Sequence, residues 1–208
     1  QHAMTHEDVW LLHRIGAPAL SPDGRLAVVS VTEPSYDSTQ NVSDLWIVPT
    51  DGSAPARRLT STRGGESGAT FSPDGKTLAF SARRDGDEAE QVYLLPLEGG
   101  EARRLTNIPT GASGPKFRPD GKAILFQTSF AQGAGNLDDQ KKLSDEQKAR
   151  KDTARTYDSF PVRFWNAWLE KKDPMIGWQE LSGAAPTMIS VAPLRGTFPG
   201  SVTEDLSP

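Results

Sequence analysis

The chain has no cysteine, which excludes disulfides, thiolate metal sites and a cysteine nucleophile together. Histidine is scarce: His2, His6 and His13 are the whole set, and all three precede the first serine, Ser21. No serine is therefore followed by a histidine, which rules out a self-contained triad in the order Ser, Asp, His. No stretch approaches 18 uninterrupted apolar residues, so no membrane-spanning helix is expected. Positive charge is not in excess either, with 23 Lys+Arg against 27 Asp+Glu and a net charge of −4. Nucleic-acid binding needs a concentrated positive field and is not expected here. The 208 residues are 36% hydrophobic and include 19 Gly, enough apolar mass for a sizeable core. Gln1-His2-Ala3 reads either as a remnant before a native Met4 or as the start of a mature exported protein; the balance favours export.

What the sequence does have is a repeat. Ser21-Pro22-Asp23-Gly24 recurs as Ser72-Pro73-Asp74-Gly75 and as Arg118-Pro119-Asp120-Gly121, with Asp-to-Asp steps of 51 and 46 residues. A second marker, Arg57-Arg58-Leu59-Thr60, recurs as Arg103-Arg104-Leu105-Thr106. From each Thr to the next motif Asp the distance is 14 residues, both times. Pro presets φ at the first corner of a turn, Asp tolerates the second, and Gly accepts the positive φ that follows. Each motif is thus a tight turn between antiparallel strands. In the second copy the strands read Gly68–Phe71, Thr77–Ser81, Gln91–Leu97 and a short one ending at Thr106. Leu45–Pro49 occupies in the first copy the place of Val92–Pro96 in the second, and length differences fall in loops.

The third copy begins in the same way with Ala123–Phe126, but its third strand is displaced. Ile189–Gly196 aligns with Val92–Gly99, which implies an insertion of roughly 51 residues, and Glu204–Ser207 stands in for the Arg-Arg-Leu-Thr marker. Four-stranded units of this length are β-propeller blades. The expected fold is all-β: a partial propeller of three four-stranded antiparallel blades, with a short N-terminal helix and a partly helical insertion. Residues 1–208 divide into blade 1 (about 15–60), blade 2 (about 61–106) and blade 3 (about 107–208, with an insertion at about 131–186). Three blades do not close a ring. The expectation is a portion of a longer protein, or a piece that associates through its open blade edges.

The Ser-Pro-Asp-Gly turns and the Arg-Arg-Leu-Thr ends resemble the propeller repeats of TolB-like proteins and of the prolyl oligopeptidase family. Thr5–Leu12, running into Ile15–Gly24, resembles the N-terminus of acylaminoacyl-peptidase-type members. Ala154–Trp168 resembles a segment of the same subfamily, departing from its pattern at Phe164 and Asn166, where His and Asp are expected. The resemblance implies an N-terminal propeller that caps a C-terminal α/β-hydrolase domain and selects short peptides, as in acylaminoacyl or dipeptidyl peptidases. The catalytic residues would lie in that other domain, and none is assigned in this chain. The alternative is a TolB-like, non-enzymatic propeller that binds proteins.

Other constellations reduce to structure. Gly65-Glu66-Ser67-Gly68-Ala69 and Gly111-Ala112-Ser113-Gly114-Pro115 both lack the last glycine of a nucleophile elbow. His2, His6 and Glu7 lie in a terminal segment, so no metal or cofactor is assigned. Thr5 and Asp8 read as a capping box, with Val9, Leu12 and Ile15 expected to pack on a blade. Residues 138–158 carry six acidic and six basic side chains, the pattern of a solvated, partly helical arm. Phe164, Trp165 and Trp168 follow it, with Trp165, Trp168 and Leu169 at helical spacing. They are candidate contacts to a partner or a lid.

Overall fold

The computed structural model describes residues 3–37, 41–62, 64–150 and 172–191, together with the backbone of 163–164 and 167–168. The first sheet runs β1 (Arg14–Ile15), β3 (Leu26–Glu33), β4 (Val42–Pro49) and β5 (Arg57–Arg58) in spatial order, with β2 (Ala19–Leu20) also paired to β3. The second runs β6 (Glu66–Phe71), β7 (Thr77–Ala82), β8 (Gln91–Pro96) and β9 (Arg103–Arg104). The third runs β10 (Ser113–Phe117), β11 (Ala123–Ala131), β14 (Lys172–Glu180) and β15 (Thr187–Ser190). Between β11 and β14 lie α2 (Leu137–Ala149) and the paired β12 (Arg163–Phe164) and β13 (Ala167–Trp168). Repeated four-stranded antiparallel sheets with few helices make this a partial propeller, the expected fold class.

The motif turns form as their chemistry demands. Gly24 N–H donates to Ser21 O at 2.9 Å and Gly75 N–H to Ser72 O at 2.8 Å, and the two glycines adopt φ of 70° and 72°. Asp23 Oδ1 accepts the Ser21 hydroxyl at 2.6 Å and the Arg25 N–H at 3.1 Å, while Ser21 Oγ accepts the Leu26 N–H at 2.9 Å. The second copy repeats this with Asp74, Ser72, Lys76 and Thr77. In the third, Arg118 Nε replaces the serine hydroxyl at 2.8 Å from Asp120 Oδ1, and holds that carboxyl down to about 2.

The Thr of the second marker closes each of the first two sheets. Thr60 Oγ1 accepts the buried Leu45 N–H, and Thr106 Oγ1 the buried Val92 N–H, both at 2.9 Å. Between the first two sheets the core is Val28, Leu45 and Ile47 from one and Phe71, Leu78, Phe80, Ala82, Tyr93 and Leu95 from the other. Strand alternation explains the sets, because residues two apart share a face.

The chain forms two compact units, 1–127 with 177–187, and 128–176 with 188–208. Within the second unit, α2 is capped by Asn136, whose side chain accepts the Asp139 N–H at 2.9 Å. Its Gln140 is buried and accepts the Ala131 N–H at 2.6 Å, and Phe130, Ala134, Met175 and Val191 are buried too. The charged remainder of α2 is solvated, as its composition predicts.

Three expectations are corrected. The third strand of the third sheet is Lys172–Glu180, and Ile189-Ser190 end the fourth strand rather than starting the third; the Glu204–Ser207 marker lies outside the described residues. The deciding contact is local: Leu181 N–H donates to Lys122 O at 3.0 Å, as Leu97 N–H does to Lys76 O at 2.8 Å. Secondly, α1 (His6–Trp10) has the Thr5/Asp8 capping box but buries nothing, and Val9, Leu12 and Ile15 stay exposed, Ile15 at 71%. The helix is tied down instead by the Tyr36 hydroxyl, which donates to Glu7 Oε1 at 2.5 Å. Finally, Trp168 stands in a strand paired to Arg163–Phe164 and not in a helix, since Ala167 and Trp168 register with Phe164 and Arg163.

Candidate functional site

The sheet ends remote from the motif turns gather the buried charges of the first unit. Asp44, at the head of β4, is 1% exposed and takes the guanidinium of Arg58. Glu66, the first residue of β6, is fully buried; its Oε1 accepts the Thr62 hydroxyl at 2.9 Å and Arg84 at 3.1 Å. Asp87, in the loop before β8, accepts Arg104 at 2.7 Å, the Tyr93 hydroxyl at 2.7 Å and the Arg84 N–H at 3.0 Å. The Arg84 guanidinium lies 4.6 Å from the Tyr93 ring centroid and 5.6 Å from that of Phe80. Each buried carboxylate thus has its own arginine.

The electrostatics follow from burial and pairing. Desolvation raises the Asp44 carboxyl above the usual range, opposed by Arg58. At Asp87 burial pulls upward as well, but the Tyr93, Arg84 and Arg104 hydrogen bonds outweigh it and the net shift is down. Burial and the bond to Asp87 push the Tyr93 phenol up to about 12. One oxygen each of Asp44 and Glu66 has no hydrogen-bond partner among the described residues. The carboxylates are locked by donors, so this cluster anchors loops rather than exchanging protons. Removing one partner of such a pair strands the other charge.

The arginine pairs divide their labour by face. Arg58 and Arg104 make the buried ion pairs, Arg103 donates to Leu181 O at 3.2 Å, and the Arg57 side chain has no ion pair or hydrogen bond among the described residues. The two elbow-like serines, Ser67 and Ser113, sit at β-bulges where the register shifts and where Gly68 and Gly114 adopt φ of 61° and 58°. They occupy equivalent places in two repeats, which is the mark of a scaffold feature. His6 stacks on Trp10 in α1 with ring centroids 6.5 Å apart.

Of the aromatic contact candidates, the structure pairs Phe164 with Ala167 and Trp168 with Arg163 through the backbone, and Trp165 lies outside the described residues. A surface that sequence reasoning missed is more informative. In the second sheet, Leu78, Phe80, Ala82, Tyr93 and Leu95 are buried against the first. Their repeat counterparts in the first sheet are Ala27, Val29, Val31, Trp46 and Val48, all only half-buried. At the other end, Leu125 is 39% exposed where its counterparts Val28 and Ala79 are fully buried. An apolar face therefore stands open on the first sheet, and Leu20, Met4 and Leu12 add exposed apolar surface near the N-terminus. The shift from blade to blade of a buried position to an exposed one was available only from structure.

Residues 39–158 match the family model described as the Tricorn protease N-terminal beta propeller domain. Among curated proteins, 104 residues are 36% identical to an uncharacterized peptidase, YuxL, of Bacillus subtilis, covering 47% of this chain and 15% of that protein. Dipeptidyl-peptidase 5 of Porphyromonas gingivalis is 34% identical over 83 residues, 40% of this chain and 12% of that protein. An acylaminoacyl peptidase of Pyrococcus horikoshii superposes with a TM-score of 0.63 over 88% of this chain and 26% of that one, at 13% identity. That last likeness is one of fold. The chain spans only 12–15% of the length of the curated relatives it matches.

Proposed function

Because the chain belongs to the family of Tricorn protease N-terminal beta propeller domains, we propose that it is the non-catalytic propeller portion of a serine peptidase. In this reading it gates short peptides toward a C-terminal α/β-hydrolase domain supplied by the rest of the protein, of the acylaminoacyl- or dipeptidyl-peptidase type. The observation that carries the reading is the open apolar face of the first sheet. Val29 and Trp46 are half-buried where Phe80 and Tyr93, at the same repeat positions, are covered. Further sheets of the same kind would cover it and complete a ring around a central passage, which is how a stack of four-stranded sheets protects its faces. The passage would select by size, because a folded or long chain does not enter it. Phe164, Trp165 and Trp168 would line the contact to the catalytic domain.

The test uses the full-length gene product. It should hydrolyse a short chromogenic peptide and leave the same sequence uncut inside a long unfolded polypeptide. Val29→Asp with Trp46→Asp, which would open the seam, should admit the long substrate at least tenfold faster while short-peptide turnover stays within twofold. Trp165→Ala with Trp168→Ala should weaken the hold of the hydrolase domain, read as faster proteolytic separation of the two. Equal rates on short and long substrates in the unaltered protein would remove the gate. A full-length product without peptidase activity would leave the TolB-like binding module in its place.

A further inference from the structure

The first two sheets are separated at their outer strands by an open cleft of about 690 Å³. Leu26, Ile47, Pro49, Pro55 and Leu97 line it together with Arg57, which stands opposite Ile47 in register and shares its face of the sheet. The repeat provides a comparison within one molecule. Arg103 is the counterpart of Arg57, and Leu181 of Leu97, since each leucine donates its N–H to the residue after a motif glycine. In the later copy Arg103 reaches across and donates to Leu181 O at 3.2 Å. In the earlier copy nothing is reached: Arg57 has no ion pair or side-chain hydrogen bond among the described residues. The loop before Arg57, residues 50–56, is one residue longer than the loop 97–102 before Arg103, and it carries Pro55. Its neighbour Arg58 does not share the role, being committed to Asp44 and to Thr60 O.

The cleft therefore joins apolar walls to one unneutralised cation. A neutral apolar ligand leaves the guanidinium unanswered, and a cationic one is repelled. An apolar group carrying a carboxylate answers both features, because the planar guanidinium takes a carboxylate through two parallel hydrogen bonds. The volume lies within the range of small-ligand sites and suits the last one or two residues of a peptide. We propose that this cleft binds the C-terminal residue of an apolar peptide, its side chain against Leu26, Ile47 and Leu97 and its carboxylate on Arg57.

The experiment is calorimetric titration of the 208-residue chain with acetyl-Ala-Phe and with its C-terminal amide. The free acid should bind about fivefold more tightly than the amide, the worth of one good but solvent-accessible ion pair. Arg57→Gln should abolish that preference and leave amide binding unchanged, while Arg103→Gln should leave the preference intact. Arg57 is exposed and without partners, so its replacement does not threaten the fold. Equal affinity for acid and amide overturns the assignment, as does a preference that survives Arg57→Gln. Absence of saturable binding by either probe overturns it also.

Discussion

Thr106→Val tests whether the threonine of the Arg-Arg-Leu-Thr marker is a structural clamp. Thr106 is 1% exposed; its Oγ1 accepts the Val92 N–H at 2.9 Å and donates to Gln91 Oε1 at 2.8 Å. Valine keeps the shape and removes both bonds. Gln91 Oε1 retains a donor in the Ile108 N–H at 3.0 Å, so the main loss is the stranded, buried Val92 N–H. A buried donor left without a partner costs about 1–3 kcal/mol, and with the second bond the total should reach roughly 2–3 kcal/mol. Thr106→Ser keeps the hydroxyl and deletes one buried methyl, for about 1 kcal/mol. Thr60→Val removes one such bond, that to the Leu45 N–H, and should fall between the two at about 1–2 kcal/mol. Urea denaturation followed by tryptophan fluorescence measures this as a shift of midpoint at constant slope. If Thr106→Ser costs as much as Thr106→Val, the hydroxyl is irrelevant and the threonine is present for its methyl. A cost below about 0.5 kcal/mol for Thr106→Val would refute the clamp altogether.

Arg84→Met keeps most of the stacking volume over Tyr93 and leaves the Glu66 carboxylate buried without its cation. It should cost about 3 kcal/mol in the same assay, whereas Glu66→Gln with Arg84→Met should recover much of that loss. The Tyr93 phenol, raised from 10.0 to about 12, binds its proton more tightly in the folded state. Stability should therefore fall as pH rises from 10 to 12, by roughly 2–3 kcal/mol, and this extra alkaline loss should be missing in Tyr93→Phe. Gly75→Ala places a Cβ no closer than 3.5 Å to Pro22 Cδ, so its cost is that of φ +72° alone, about 1–2 kcal/mol in the same urea titration. A larger penalty would mean that the turns pack more tightly than this contact indicates.

The parts legible in the sequence are those whose chemistry is local. A turn that needs Ser, Asp and a glycine at φ near 70° repeats the same letters each time it is built. The buried ion pairs leave no such trace. Arg58 and Arg104 occupy equivalent positions, yet the first finds its carboxylate at the start of β4, in Asp44, and the second in the loop residue Asp87. The position equivalent to Asp44 is Gln91, which bonds to Thr106 and Ile108 instead. Two solutions to one electrostatic need have no common period, so no repeat analysis finds them. The third strand of the last sheet is hidden in the sequence for a related reason. Thr187–Val191 has the β-branched look of a strand, whereas Lys172–Glu180 contains a proline and a glycine. The usable signal was short: Leu181-Ser182-Gly183 repeats the pattern of Leu97-Glu98-Gly99.

Burial was the least legible property because it belongs to the neighbour as much as to the residue. Val29 and Phe80 hold one repeat position, on the same face of equivalent strands, and their sequence contexts read alike. Phe80 is fully buried because the first sheet covers it; Val29 is half-buried because none of the described sheets covers it. The same holds for Ile15 and Leu12, whose spacing marks an apolar stripe without naming what it meets. A covering sheet should make the two positions energetically equivalent. In the 208-residue chain Val29→Ala should cost well under 1 kcal/mol, and in the full-length protein 1–2 kcal/mol or more, approaching a core truncation. Equal small costs in both would mean that the face is solvent-exposed in the complete molecule, and that the propeller ring does not close over it.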